Sequence, residues 1–186
     1  MHVYARPTSR LMAMTDTFRL DGKVVVVTGG SRGIGAMMAR GLLQAGTTVY
    51  PSSRKKAELD AAVAELSAHG PVQAIPADLG TVDGVKALAG DLAEREDAIH
   101  ALFNNAGAAW GARFGEFPES GFDKVLNVNV KGVFLLTRAL VPMLTAGATD
   151  DNPARVINTG SVDGIVRRDA AGTTSPTAPA TPPCTC

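Results

Sequence analysis

Val24-Val25-Val26-Val27-Thr28-Gly29-Gly30-Ser31-Arg32-Gly33-Ile34-Gly35 is the stretch whose reading decides the fold. Four consecutive valines suit a parallel strand buried on both faces, and the glycine-rich segment after them delivers the chain to the start of a helix. Gly29 and Gly33 let the backbone turn tightly and come close to a pyrophosphate, and Gly35 lets the helix lie against the strand. The unpaired N–H groups of the first helical turn then face the anion. A glycine fingerprint alone also describes a plain turn; here the strand before it and the amphipathic Ile34–Ala45 after it supply the context that a phosphate loop requires.

Working outward, strands and helices alternate from Leu20 onward. The pattern predicts strands at Lys23–Thr28, Thr47–Ser52, Val72–Ala77, Ala98–Phe103 and Arg155–Thr159. It predicts helices at Gly33–Ala45, Lys55–His69, Val82–Arg95 and, the longest, from about Gly121 to Thr145. Strict alternation with short links is the signature of an α/β, doubly wound parallel sheet, whose ligands bind at the carboxyl ends of the strands. Those ends carry the chain's small, polar and charged groups: the glycine loop, Ser52-Ser53-Arg54-Lys55, Asp78-Leu79, Asn104-Asn105-Ala106-Gly107 and Gly160-Ser161. Packing alone does not explain five such ends.

Composition narrows the function classes. At 186 residues, 45% of them apolar, the chain can bury one core of ordinary domain size. Eighteen basic residues balance eighteen acidic ones, so neither nucleic acid nor an anionic membrane is expected as a partner. No uninterrupted apolar run approaches the roughly 18 residues of a bilayer span. The two cysteines, Cys184 and Cys186, are too few and too peripheral for a disulfide framework or a closed metal site. A cysteine-free body suits a cytoplasmic enzyme. Residues 1–19 read either as a weak targeting presequence or, the reading taken here, as a disordered extension with Met14 available as a start.

Taken together, T-G-x-x-x-G-x-G at Thr28–Gly35, Asp78-Leu79, Asn104-Asn105-Ala106-Gly107, Asn127-Val128-Asn129-Val130-Lys131-Gly132-Val133-Phe134 and Arg155-Val156-Ile157-Asn158-Thr159-Gly160-Ser161 resemble the classical short-chain dehydrogenases/reductases, most closely the branch of 3-oxoacyl carrier-protein reductases. The resemblance runs from about Leu20 to Ile165 and implies a Rossmann-type sheet of which strands one to five are present and strands six and seven are missing. It implies an NADP(H)-dependent oxidoreductase that interconverts a small-molecule ketone or 3-oxoacyl group and its alcohol, usually as a homo-oligomer. By that resemblance Gly29, Ser31, Arg32, Gly33, Ile34 and Gly35 hold the cofactor's pyrophosphate end, Asp78 and Leu79 meet the adenine, and Asn105, Ala106 and Gly107 lie along the ribose. Asn129 corresponds to a helix asparagine whose backbone holds a proton-relay water, and Ser161 to the serine that orients the substrate carbonyl. A solvent-facing helix residue and a loop hydroxyl are the plainer readings of those two.

Charge separates NADP from NAD. An acid about 20 residues past the glycine loop accepts the ribose 2′-hydroxyl of NAD, whereas a cation there accommodates the 2′-phosphate of NADP. Strand two ends instead in Arg54 and Lys55, and Arg32 of the glycine loop reaches toward the same place; arginine grips phosphate bidentately. NADP is therefore expected over NAD.

Carbonyl reduction also needs an acid to meet the charge that develops on oxygen. The family supplies a tyrosine with a lysine four residues later, a dozen or so residues after the serine. This chain has tyrosine only at positions 4 and 50, and its last lysine is Lys131, so it is expected to be catalytically impaired. Residues 166–186 read as an aberrant, disordered tail. Read in another frame, the codon families for Thr177–Thr185 permit Tyr-Ser-Ala-Ser-Asn-Ala-Ala-Val-His, which differs from the family's active-site segment only where the family has Lys. A frameshift between about Ile165 and Thr174 is the expectation, and resequencing the gene across that region tests it. A non-catalytic dinucleotide-binding module and a non-functional fragment are the alternatives.

Overall fold

The computed structural model describes residues 19–161. The expected N-terminal extension, Arg19 apart, and the expected tail lie outside the described residues. The element order is β1 (Val24–Thr28), α1 (Gly33–Gln44), β2 (Thr48–Ser53), α2 (Lys56–Leu66), β3 (Ile75–Pro76), α3 (Val82–Ala93), β4 (Ala101–Asn104), α4 (Glu119–Leu126), a π-helical turn (Asn127–Gly132), α5 (Val133–Gly147) and β5 (Arg155–Asn158). The five strands form one parallel sheet in the order β3-β2-β1-β4-β5.

The valine run is the centre of the molecule. Every residue of β1 is buried, and alternate side chains enter different cores, as the two-residue strand period requires. Val24 and Val26 join Leu88 and Leu92 of α3 and Leu136 and Leu140 of α5 on one face. Val25 and Val27 join Ala39 and Leu43 of α1 and Leu66 of α2 on the other. Each fully buried Leu or Val is worth about 1.5–3 kcal/mol of transfer free energy, so two covered faces account for four valines in a row.

Four elements depart from the sequence-based expectation, one of them β4, which runs Ala101–Asn104 rather than the expected Ala98–Phe103. β3 is two residues long rather than the expected Val72–Ala77, with one further bridge between Val49 and Val72. It is an edge strand, and Pro71 and Pro76 have no N–H to give to a ladder. The helix expected over Lys55–His69 ends at Leu66 and tightens into a 3-10 turn over Ser67–His69. The long helix begins earlier, at Glu119, and carries a π-helical turn that local periodicity does not reveal. Over Glu119–Gly147 its most apolar 18-residue window has a mean hydropathy of 1.3, enough by length and composition alone to cross a bilayer. The expectation of no such stretch overlooked it because Lys131 and Arg138 interrupt the apolar run. In the fold, Leu136, Leu140, Met143 and Leu144 pack into the core.

β5 is the outer strand among the described residues. Its Val156 is in register with the fully buried Leu102 yet is 43% exposed.

Candidate functional site

The carboxyl ends of β1, β2, β3 and β4 surround a cleft of about 430 Å³. Its floor is the turn from β1 into α1. Gly29 and Gly33 hold φ of +68° and +55°, where a side chain would be strained. Gly35 lies so close beneath the turn that an added Cβ would stand 2.2 Å from the Gly29 carbonyl oxygen and 2.6 Å from Asn105 Nδ2. The first turn of α1 has no capping side chain: Arg32, at the cap position, has extended backbone and makes no cap hydrogen bond, and no acid occupies the turn. Those N–H groups open into the cleft as a ready anion site.

Thr28 fastens this turn to β4. Its hydroxyl donates to the Phe103 carbonyl (3.1 Å) and accepts from the backbone N–H groups of Asn105 and Ala106 (both 2.9 Å). The Asn105 amide in turn donates to the carbonyls of Thr28 (3.0 Å) and Gly29 (3.4 Å). Thr28 was missed as a site residue, although a hydroxyl at the last position of a valine strand is a readable signal. Asp78 accepts from Gly80 N–H (3.0 Å) through Oδ1, a local turn that holds its carboxylate at the end of β3.

Every cofactor-binding residue expected from the sequence lines this cleft: Gly29, Ser31, Arg32, Gly33, Ile34, Gly35, Arg54, Asp78, Leu79, Asn105, Ala106 and Gly107. Ser52 and Ser53, quoted from the sequence only as part of the β2 strand end, line it too, as do Ala77, Ala108 and Val128. Ser52 is a buried serine whose Oγ has no hydrogen-bond partner among the described residues. The β2 end is cationic: Lys55 is engaged by Glu58 at 2.5 Å and Lys56 by Asp60 at 2.6 Å, both on the surface of α2. Arg54 takes part in neither pair and faces the cleft. Glu58 is the acid that engages Lys55 there. The Lys55 ammonium, followed at longer range by Arg32, holds its carboxyl below the ordinary range.

The two expected catalytic residues fare differently. Asn129 does not line the cleft and is not a solvent-facing helix residue: its amide donates to the Ala108 carbonyl (2.9 Å), and its Oδ1 accepts from Ala108 N–H (2.8 Å). This reciprocal pair ties the π-helical turn to the chain leaving β4. Ser161 lies exposed beyond β5, at the limit of the described residues, and is not part of the cleft wall. Tyr50, the described tyrosine, is buried on β2; its hydroxyl donates to Glu96 (2.7 Å), and burial first, then Glu96, push its pKa up to about 12. It offers no proton to the cleft. Among the described residues no group of three or more metal-ligating side chains is present.

Residues 23–173 match the family described as short chain dehydrogenase. The chain is 47% identical over 148 residues to the rhamnolipids biosynthesis 3-oxoacyl-[acyl-carrier-protein] reductase of Pseudomonas aeruginosa, covering 80% of this chain and 58% of that protein. It resembles the Pseudomonas aeruginosa RhlG/NADP active-site complex with a TM-score of 0.80 and 45% identity, over 87% of this chain and 61% of that one. It is also similar to L-sorbose reductase from Gluconobacter frateurii, solved with NADPH and L-sorbose, with a TM-score of 0.74 and 25% identity, over 80% of this chain and 56% of that one. The chain thus spans about three-fifths of the length of these relatives. A parallel 3-2-1-4-5 sheet, a glycine turn packed against β4 and a match over 23–173 together make this chain a member of the short-chain dehydrogenase family.

Proposed function

We propose that this chain is the cofactor-binding portion of an NADP(H)-dependent oxidoreductase that interconverts a ketone or 3-oxoacyl group and the corresponding alcohol. The observation that carries the reading is the cleft's charge pattern: an uncapped helix N-terminus flanked by Arg32 and Arg54, with Glu58 engaged by Lys55. The cleft fits such a cofactor. Gly29, Gly33 and Gly35 leave the backbone free to approach a pyrophosphate, Arg32 and Arg54 match a ribose 2′-phosphate, and Asp78 offers an acceptor to an adenine amine. When bound, the nicotinamide supplies or takes up the hydride; the protein's part is to hold it and to exclude water.

The relatives named above support the substrate class, and a cysteine-free body supports a cytoplasmic setting. Self-association along the Glu119–Gly147 helix, the family's usual habit, belongs to the same reading. A second reading, a dinucleotide-binding module without turnover, is favoured by one observation: the 186 residues contain no Tyr-x-x-x-Lys pair, and Tyr50 is held protonated away from the cleft.

Calorimetric titration of the full chain with NADPH and with NADH tests the first part. Tight NADPH binding with at least tenfold weaker NADH binding is expected, and equal affinity for both would overturn the NADP assignment. Following NADPH consumption over a panel of ketones and 3-oxoacyl thioesters separates the two readings. Turnover by this chain would show that the Tyr-Lys pair is dispensable; binding without turnover is the outcome expected of the second.

A further inference from the structure

The segment that leaves β4 is held at two further points beyond the glycine turn. Ala108 is clasped by the Asn129 amide through both its N–H and its carbonyl. Two residues on, the Trp110 indole lies flat against the backbone of Gly121 in the first turn of α4: a Cβ added at Gly121 would stand 2.7–2.8 Å from indole Cγ, Cδ1 and Cδ2. Lys124, three residues further along the same helix, places Nζ 5.2 Å from the ring centroid. Gly121 is buried by this contact although its helix neighbours Phe122, Asp123 and Lys124 are exposed. A bare backbone patch, a flat ring and a cation at its face form a fitted seat.

The seat is coupled by the chain itself to the cleft, because Ala106, Gly107 and Ala108 line it and lie within four residues of the indole. Gly107 is exposed and glycine-flexible, so beyond the Thr28 hydroxyl that holds Ala106, what fixes this wall is the clasp at Asn129 and the seat at Gly121. We propose that Trp110 is a positioning residue: seated on Gly121, it fixes the Ala106–Ala108 wall, so that filling the cleft with a dinucleotide and seating the indole are one coupled event. The inference rests on the NADP(H) reading above. Coupling is reciprocal, so a seat that favours binding must itself be favoured by binding.

Trp110 is the chain's single tryptophan, so its emission reports the seat directly. Acrylamide quenching is measured on the full chain with and without NADP⁺, and NADPH affinity by calorimetry, for wild type, Gly121→Ala and Trp110→Ala. In wild type, saturating NADP⁺ is expected to lower the quenching constant. In Gly121→Ala the added methyl evicts the ring, raising quenching in the free protein and the NADPH dissociation constant by roughly three- to tenfold, the cost of ordering a loosened wall on binding. Trp110→Ala is expected to weaken NADPH by a similar factor with Gly121 intact, which keeps the test independent of whether position 121 tolerates a methyl. Tight wild-type binding with unchanged affinity in Trp110→Ala, or quenching indifferent to NADP⁺, overturns the latch and leaves the cofactor reading standing. Absence of NADPH binding in wild type overturns both.

Discussion

Arg54 stands at the end of β2 with its two lysine neighbours already paired on α2, which makes it the side chain best placed to read a 2′-phosphate. A charge-assisted hydrogen bond is worth about 1.5–3 kcal/mol. Arg54→Ala should therefore weaken NADPH by about 10- to 100-fold and leave NADH binding within about twofold, as read by calorimetry. Thr28 has a structural weight that its single hydroxyl conceals. Thr28→Val keeps the shape but leaves the N–H groups of Asn105 and Ala106 without an acceptor, at about 1–3 kcal/mol for each that stays buried. A loss of about 2–4 kcal/mol in denaturant unfolding is expected, together with weakened NADPH binding. The glycines and Arg54 were legible in the sequence because their chemistry is local: a turn that needs positive φ, a cation where an acid could stand. Thr28 and the Trp110–Gly121 contact were not, since each acts on a partner 11 or more positions away.

At the scale of elements, β1 and the start of β4 are joined at the sheet end opposite the cleft by His100. Its ring Nδ1 accepts the Val24 N–H at 3.0 Å, its backbone N–H donates to the Val24 carbonyl at 2.8 Å, and its backbone carbonyl accepts from the Arg155 N–H of β5 at 3.0 Å. Accepting at Nδ1 requires the neutral ring. Burial first, then Lys23, lower its pKa from the ordinary value, against a smaller opposing pull from Glu96. A base whose folded pKa is depressed stabilises the fold fully above its unfolded pKa of about 6.5; that contribution is lost as pH falls from there through the folded value. Unfolding free energy should therefore fall, as pH drops below about 6.5, more steeply in wild type than in His100→Gln, whose amide has no proton to gain. Parallel slopes would show that other groups carry the acid sensitivity. Element order and the parallel, doubly wound class of the sheet followed from the alternation of apolar runs and turn residues. The shortness of β3 did not, because a proline's missing N–H matters only once the strand's neighbours are known.

Across the whole molecule, apolar side chains remain in contact with water on the β5 side of the sheet and on the helices. Val156 is 43% exposed beyond the buried Leu102, and Phe134 and Val141 of α5 are exposed, as is Met37 of α1. Among the described residues β5 is the outer strand, and an outer strand carrying such a residue invites pairing with another chain. Val156→Lys should lower light scattering of concentrated protein while moving unfolding free energy by no more than about 0.5 kcal/mol. A mutation that silenced aggregation only by destabilising the fold would fail the second measurement. The helix between Glu119 and Gly147 has a further property of phase. Its π-helical turn at Asn127–Gly132 accommodates one residue more than an α-helix needs to join the same two faces. That surplus keeps Gly121 under the indole while Leu136, Leu140 and Leu144 point into the core; straightened into uninterrupted α-helix, the two halves would be rotated by about 100° against each other. Removing one residue from the turn should leave both halves in step, whereas removing one from α5 should swing the leucines out of the core, so the helix tolerates a change of length at one place and resists it along the rest.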